Sequence, residues 1–203
     1  MKTILCSFAV ALLFFSVTPA RAVIAAGHPA PNFTAQDTNG HPISLADFKG
    51  KIVVLEWTNP KCPFVLKHYN SGNMQKLQKT YTAKGIIWIT INSAAPGREG
   101  FGTAAEANQI VAERGAAPSF VILDSSGAIG HLYDAKTTPH MFIISPDGTL
   151  MYHGGIDSIA THDIPDLARA KNYVAAALDE MLAGQPVKVS AAMPYGCAVK
   201  YAK

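Results

Sequence analysis

The chain has 203 residues, 49% of them hydrophobic and only 15% charged, with a formal net charge of +3. That length suits one domain with a substantial core. No basic cluster with interleaved aromatics is present, which excludes nucleic acid as a partner.

The first 22 residues, MKTILCSFAVALLFFSVTPARA, carry a basic residue, an apolar stretch from Ile4 to Val17 and the small-x-small triplet Ala20-Arg21-Ala22. This is the layout of a cleaved secretory signal, with the cut expected after Ala22. The apolar stretch falls short of the roughly 20 residues of a membrane span, and nothing after residue 22 is long and apolar enough to be one, so no stable membrane insertion is expected after signal removal. Loss of Lys2 and Arg21 takes the formal charge to +1. Residues 23–203 are expected to form a single domain of a periplasmic or secreted protein.

In chain order, FTAQDTNGHPIS (33–44) places Thr38-Asn39-Gly40 between two short extended pieces, a hairpin signal. Ile52–Trp57 is a near-continuous apolar run, as in a strand covered on both faces. Residues 63–84 turn helical, interrupted at Ser71-Gly72-Asn73. IIWITI (86–91) is a second buried strand, followed by a glycine-rich loop and a helix over Thr103–Arg114. FVILD (120–124) is a strand and leads to a short helix ending near Tyr133. HMFIIS (140–145) and TLMYHGG (149–155) flank the turn Pro146-Asp147-Gly148 as a terminal hairpin. Residues 157–203 hold a polar linker, an amphipathic helix around Ala170–Leu182 and a tail, VKVSAAMPYGCAVKYAK. Strands alternating with helices and closing in a hairpin predict an α/β fold with a mixed central sheet.

Three cysteines are present. Cys6 lies inside the signal and lacks the small-residue context of a lipid-attachment site, which leaves Cys62 and Cys197. Two thiols in an oxidising compartment invite pairing. In EWTNPKCPFV (56–65), Cys62 follows the buried strand and opens a helix. Unsatisfied amide N–H groups and the positive dipole end favour thiolate there, and Lys61 adds charge. Three residues on, where a dithiol motif would place its second cysteine, stands Val65. Glu56 is a carboxylate inside the apolar run IVVLEW, costly to bury without a partner or a task. A desolvated carboxyl has a raised pKa, suited to protonating a leaving thiolate.

These pieces together resemble the redoxin (AhpC/TSA-like) branch of the thioredoxin-like superfamily. The likeness is carried by PNFTAQDTNGHPISLADFKGKIVVLEW, the cysteine at the strand–helix junction, FVILDSSGAIGHLYDAKTTPHMFIISPDG and the closing hairpin. It implies a thioredoxin-like fold with an N-terminal hairpin extension and a C-terminal tail, and a thiol-dependent oxidoreductase activity without cofactor. On that pattern Cys62 is the nucleophile and Val65 replaces its local partner. Glu56, six residues before Cys62, matches a buried proton-shuttling acid. Thr138-Pro139 matches the cis-proline loop, which faces the nucleophile and pairs its backbone with an extended thiol substrate. Lys61 and Pro63, beside the thiol, join Thr138 and Pro139 as expected substrate contacts, and His140 is adjacent.

Cys197 is the candidate resolving cysteine, with an external thiol or a disulfide-linked dimer as alternatives. The expected partners are protein or small-molecule thiols and disulfides. A peroxidase reading takes peroxides instead. Against it, Asn59 and Leu55 stand where a peroxiredoxin carries Thr or Ser and Pro, no arginine precedes the MFII strand, and Asn59, Thr58 or Arg98 would have to polarise the O–O bond. A third reading makes Cys62–Cys197 a structural staple in a non-catalytic domain. No zinc-type ligand spacing is present, and Thr58 stands where a copper-binding CxxxC would begin, so no metal is expected.

Overall fold

The computed structural model describes residues 24–203; the expected signal segment and Cys6 lie outside the described residues. Thr34–Gln36 (β1) and Pro42–Ser44 (β2) form the hairpin around Asn39-Gly40, and a 3-10 turn over Leu45–Phe48 is capped by Ser44. Val53–Trp57 (β3) leads into Pro63–Asn70 (α1) and Asn73–Thr82 (α2), which are separated at Gly72, whose φ of 76° breaks the helix. Ile87–Asn92 (β4), Ala104–Glu113 (α3), Phe120–Leu123 (β5) and Ala128–Leu132 (α4) follow. Then come Thr137–Thr138 (β6), His140–Ile144 (β7), Leu150–Gly154 (β8), Tyr173–Leu182 (α5) and Cys197–Ala198 (β9).

The central sheet has the order β5-β4-β3-β7-β8; β3, β4 and β5 run parallel, and β7 and β8 antiparallel to their neighbours. This is a thioredoxin-like, mixed α/β sheet. Side chains alternate across it. Val54, Trp88, Met141, Ile143 and Tyr152 pack under α1, α2 and α5. Val53, Leu55, Trp57, Ile89, Ile91 and Phe142 pack under the hairpin and α4. Because both faces are covered, every residue of β3 and β7 is buried, which is why these strands read as near-continuous apolar runs, interrupted by Glu56 and His140. Trp57 sits between Tyr133 and Phe142, its indole N–H donating to Ser93 Oγ at 3.0 Å.

Two short strands, β6 and β9, are new relative to the sequence reading, which left the tail unplaced. They pair antiparallel, Thr137 with Ala198 and Thr138 with Cys197. The tail reaches them as an extended strap. Ala192 N–H donates to His153 O (3.2 Å), Val199 N–H to Lys136 O (3.1 Å) and Ala95 N–H to Lys200 O (2.9 Å). Tyr201 donates to Ala135 O at 2.8 Å and stacks on His131.

A buried polar cluster anchors the strap to α1. Tyr195 OH donates to Asp157 Oδ1 (2.6 Å), and Lys67 Nζ donates to Asp157 Oδ2 (3.4 Å) and Ile159 O (3.2 Å). The Lys67 and Asp157 side chains are almost wholly inaccessible. His68 joins at 3.8 Å; burial holds it neutral, with its pKa down at about 4, and its Nδ1 accepts from Asn73, so Nε2 carries the hydrogen. Removing one member of such a pair leaves an unpaired charge in the core. Asp157→Ala is therefore expected to lose about 3–5 kcal/mol in denaturant unfolding, and Asp157→Leu with Lys67→Met to recover most of that loss.

Candidate active site

β3 makes its last sheet bond at Thr58, whose N–H donates to Ile91 O at 2.8 Å. The chain then turns on Asn59. Its Oδ1 accepts from Lys61 N–H (2.9 Å), its Nδ2 donates to Glu99 O (2.9 Å), and its carbonyl accepts from Cys62 N–H (3.1 Å). Cys62 is the N-cap of α1, still extended at φ −74°, ψ 123°, with Pro63 starting the helix, where the missing N–H costs nothing. This places the Cys62 sulfur at the helix start. The thiol is fully buried, however, and not partly exposed as a reactive cysteine ordinarily is, because the tail covers it.

The Cys62 sulfur has two close neighbours. The Cys197 sulfur lies 2.8 Å away and the Thr138 carbonyl oxygen 3.0 Å away. Both cysteines are free thiols, Cys62 buried and Cys197 partly exposed. The peptide bond Thr138-Pro139 is cis. Thr138 thus touches both halves of the pair, one through its carbonyl and the other through strand pairing.

Burial opposes ionisation of Cys62, but its hydrogen bond with the Cys197 thiol outweighs it, with smaller help from the N–H groups of Val65 and Cys197; the Thr138 carbonyl accepts from the protonated Cys62 thiol. The pKa of Cys62 falls below the ordinary thiol value. Burial and the adjacent Cys62 sulfur push Cys197 the other way, to about 12. The two shifts run in opposite directions, so Cys62 is the more acidic of the two thiols.

Glu56 lies fully buried among four donors. Tyr69 OH donates to Oε1 at 2.8 Å; Trp88 Nε1 (2.8 Å), Gln78 Nε2 (3.1 Å) and Thr90 Oγ1 (3.2 Å) donate to Oε2. These partners come from α1, α2 and β4, so the carboxylate braces the helix that begins at Cys62 against the sheet. It makes no hydrogen bond to either sulfur. Burial raises its pKa despite the four donors.

Lys61 is exposed and makes no ion pair among the described residues, and Pro63 is exposed beside it. A cleft of about 310 Å³ runs past Thr58, Pro60 and Lys61 to Phe101 and Glu106, but neither cysteine lines it. His140 is buried against Phe142. Its Nδ1 accepts from Lys136 N–H and its pKa drops to about 3, so it is neutral. Of the donors a peroxide reading would use, Asn59 is spent on its turn, and Thr58 Oγ1 is buried without a partner among the described residues. Among those residues no cluster of three or more His, Cys, Asp or Glu could hold a metal. Sequence reasoning missed Tyr195, Asp157 and Arg114, which donates to Pro60 O at 3.1 Å and lies over the Tyr69 ring. Nothing in their spacing marks them, since each meets its partner only in the folded chain.

The profile described as the AhpC/TSA family matches residues 26–153. A curated relative, the thiol-disulfide oxidoreductase ResA of Bacillus subtilis (strain 168), is 27% identical over 77% of this chain and 83% of its own length. An uncharacterized conserved protein of Geobacillus kaustophilus superposes with a TM-score of 0.72 at 24% identity, covering 89% of this chain and 94% of that one. A hypothetical protein of Sinorhizobium meliloti 1021 gives 0.69 at 24% identity, covering 89% and 96%.

Two measurements check the electrostatics. Ultraviolet thiolate absorbance of the reduced protein should rise in a first step from one thiol, at a pH below the ordinary thiol value, and that step should be lost in Cys62→Ser and kept in Cys197→Ser. In Cys197→Ala, which removes the donor, the Cys62 titration should move upward. For Glu56 the native pKa is raised above the ordinary 4.5, so the folded state holds the proton more tightly than the unfolded one. Stability should therefore fall as pH climbs from about that value through the native pKa. Glu56→Gln, which does not titrate, should remove this slope and cost about 1–3 kcal/mol through the misplaced amide; denaturant unfolding across pH reads both.

Proposed function

The chain belongs to the AhpC/TSA family, and from that premise we propose that it is an exported thiol–disulfide oxidoreductase with Cys62 and Cys197 as its reversible redox pair. The observation that carries this reading is the 2.8 Å separation of the two sulfurs beside the Thr138 carbonyl. A disulfide bond is about 2.05 Å long, so the pair closes with little movement of its own. Similarity to the Bacillus subtilis thiol-disulfide oxidoreductase supports the reaction class.

Cycling of the pair moves two electrons between its own dithiol and a partner's disulfide. Cys62 is the more acidic thiol, which makes it both the attacking group within the pair and the better leaving group. Cys197 resolves. Thr138 holds both sulfurs in register, and Pro139 follows it in the same loop. Glu56 acts as a positioning residue through Tyr69 and Gln78, and not by direct contact with a sulfur. Lys61 and Pro63 stand at the exposed rim, where a partner's surface meets the helix start. Export rests on residues 1–22 and on the oxidising compartment in which such a pair persists. No helix among the described residues is long and apolar enough to cross a membrane.

Equilibration with thiol–disulfide buffers tests this. The pair is expected to exchange with a reduction potential above about −300 mV, the range below which structural bonds lie. Reduction of a protein disulfide should fall by orders of magnitude in Cys62→Ser and in Cys197→Ser. A potential below that range with no turnover would make the bond a staple. Peroxide consumption that outruns disulfide exchange would make the protein a peroxidase.

A further inference from the structure

In thiol–disulfide exchange the sulfur that a partner can reach decides the order of events. We propose that β9 is this chain's own substrate strand, and that an external thiol enters the oxidised pair at Cys197, with Cys62 as the leaving thiolate. This inference rests on the exchange reading above and goes beyond it by assigning the point of entry and the kind of partner.

Three observations place the tail where an extended substrate would lie. Cys197 takes the antiparallel position opposite Thr138, so the backbone edge beside Pro139 is already paired. Gly196, immediately before it, has a φ of 134° and sits so close to the Thr138 carbonyl that any Cβ would collide with backbone. The strap is held on both sides of this point, by Tyr195 on Asp157 and by Val199 on Lys136. An added strand gains its affinity from main-chain pairing and its specificity from side-chain pockets. Here the chain itself has taken that edge.

Access follows from the same geometry. Cys62 is fully buried beneath Thr138 and Cys197, and the neighbouring cleft passes Pro60 and Lys61 without reaching it. Cys197 is partly exposed. An incoming thiolate therefore meets the outer sulfur. Its attack forms a bond from the external sulfur to Cys197 and breaks the Cys62–Cys197 bond, and Cys62 leaves with the electron pair. A second external thiolate then attacks the external sulfur of the mixed disulfide. Cys197 is released and takes up a proton; two thiols have become one disulfide, and the protein pair has gained two electrons. The lowered pKa of Cys62 and the raised pKa of Cys197 favour this order, since the more acidic thiol leaves faster. The partner needs no extended strand. It is a thiol on a small molecule or a protruding loop, able to touch the partly exposed Cys197.

The test uses the oxidised full chain and glutathione as the probe thiol. The reaction is quenched in acid at early times and digested with pepsin at low pH, which leaves no thiolate to rearrange, and the mixed disulfide is mapped by mass spectrometry. Glutathione is expected on the Cys197 peptide, with Cys62 free. Glutathione on the Cys62 peptide would overturn the inference while leaving the exchange reading standing. An intact disulfide with no mixed species would overturn both. In reduced protein, Gly196→Val unseats β9 from Thr138; alkylation of Cys62 by iodoacetamide should then rise about tenfold or more, as access to the thiolate is gained. An unchanged rate in a variant with wild-type circular dichroism would show that β9 does not cover Cys62, and the inference would fall.

Discussion

A two-residue pairing, Thr137 with Ala198 and Thr138 with Cys197, turns cysteines 135 positions apart into one centre. A ladder that short is marginal by itself in water, so its persistence depends on what surrounds it. Upstream, Tyr195 is tied to Asp157, which Lys67 also holds from α1, the helix that Cys62 opens. Downstream, Lys200 and Tyr201 fasten to the loop after β4 and to the segment after α4. The strap and the helix start are parts of one hydrogen-bonded frame, and the separation between the two sulfurs is set by it.

That frame makes the pair asymmetric. Both sulfurs lose solvation, which alone would raise both pKa values. Cys62 recovers by collecting donors, one of which is the Cys197 thiol itself, so each gain for Cys62 is a loss for Cys197. The pair has a fixed polarity as a consequence: Cys62 is the more acidic sulfur and Cys197 the less acidic one. Glu56 contributes to this at one remove. Four donors from three elements converge on its carboxylate, and through Tyr69 and Gln78 it fixes where α1 starts relative to β3.

The scaffold was legible in the sequence for reasons that are local. Residues 52–57, 86–91 and 140–145 are mostly apolar because the sheet is covered on both faces, and Gly72 breaks the helix because it must adopt a positive φ. Cys62 at a strand–helix junction and a carboxylate in an apolar strand are also local signals. The tail carries none. Cys197-Ala198 shows no alternation and no turn chemistry, and the pairing that defines it is made with a loop some sixty positions away. The burial of Cys62 escaped notice for the same reason: the residues that cover it belong to that tail. The partners of Glu56 were equally hidden, because the register that sets Thr90 opposite it and Trp88 beside Thr90 on the same face belongs to the sheet and not to either strand.

Val65 clarifies why the second thiol comes from so far away. The position three residues after Cys62 lies in the first turn of α1, and its side chain is fully buried in the core under that helix. A cysteine there would place both sulfurs beneath the surface, where no partner could reach either one while the strap is seated. A sulfur on β9 stays at the edge of the molecule, in contact with Cys62 on one side and with solvent on the other. The tail therefore does two things at once. It covers the buried Cys62 thiol, and it sets the partner sulfur of Cys197 at the partly exposed edge.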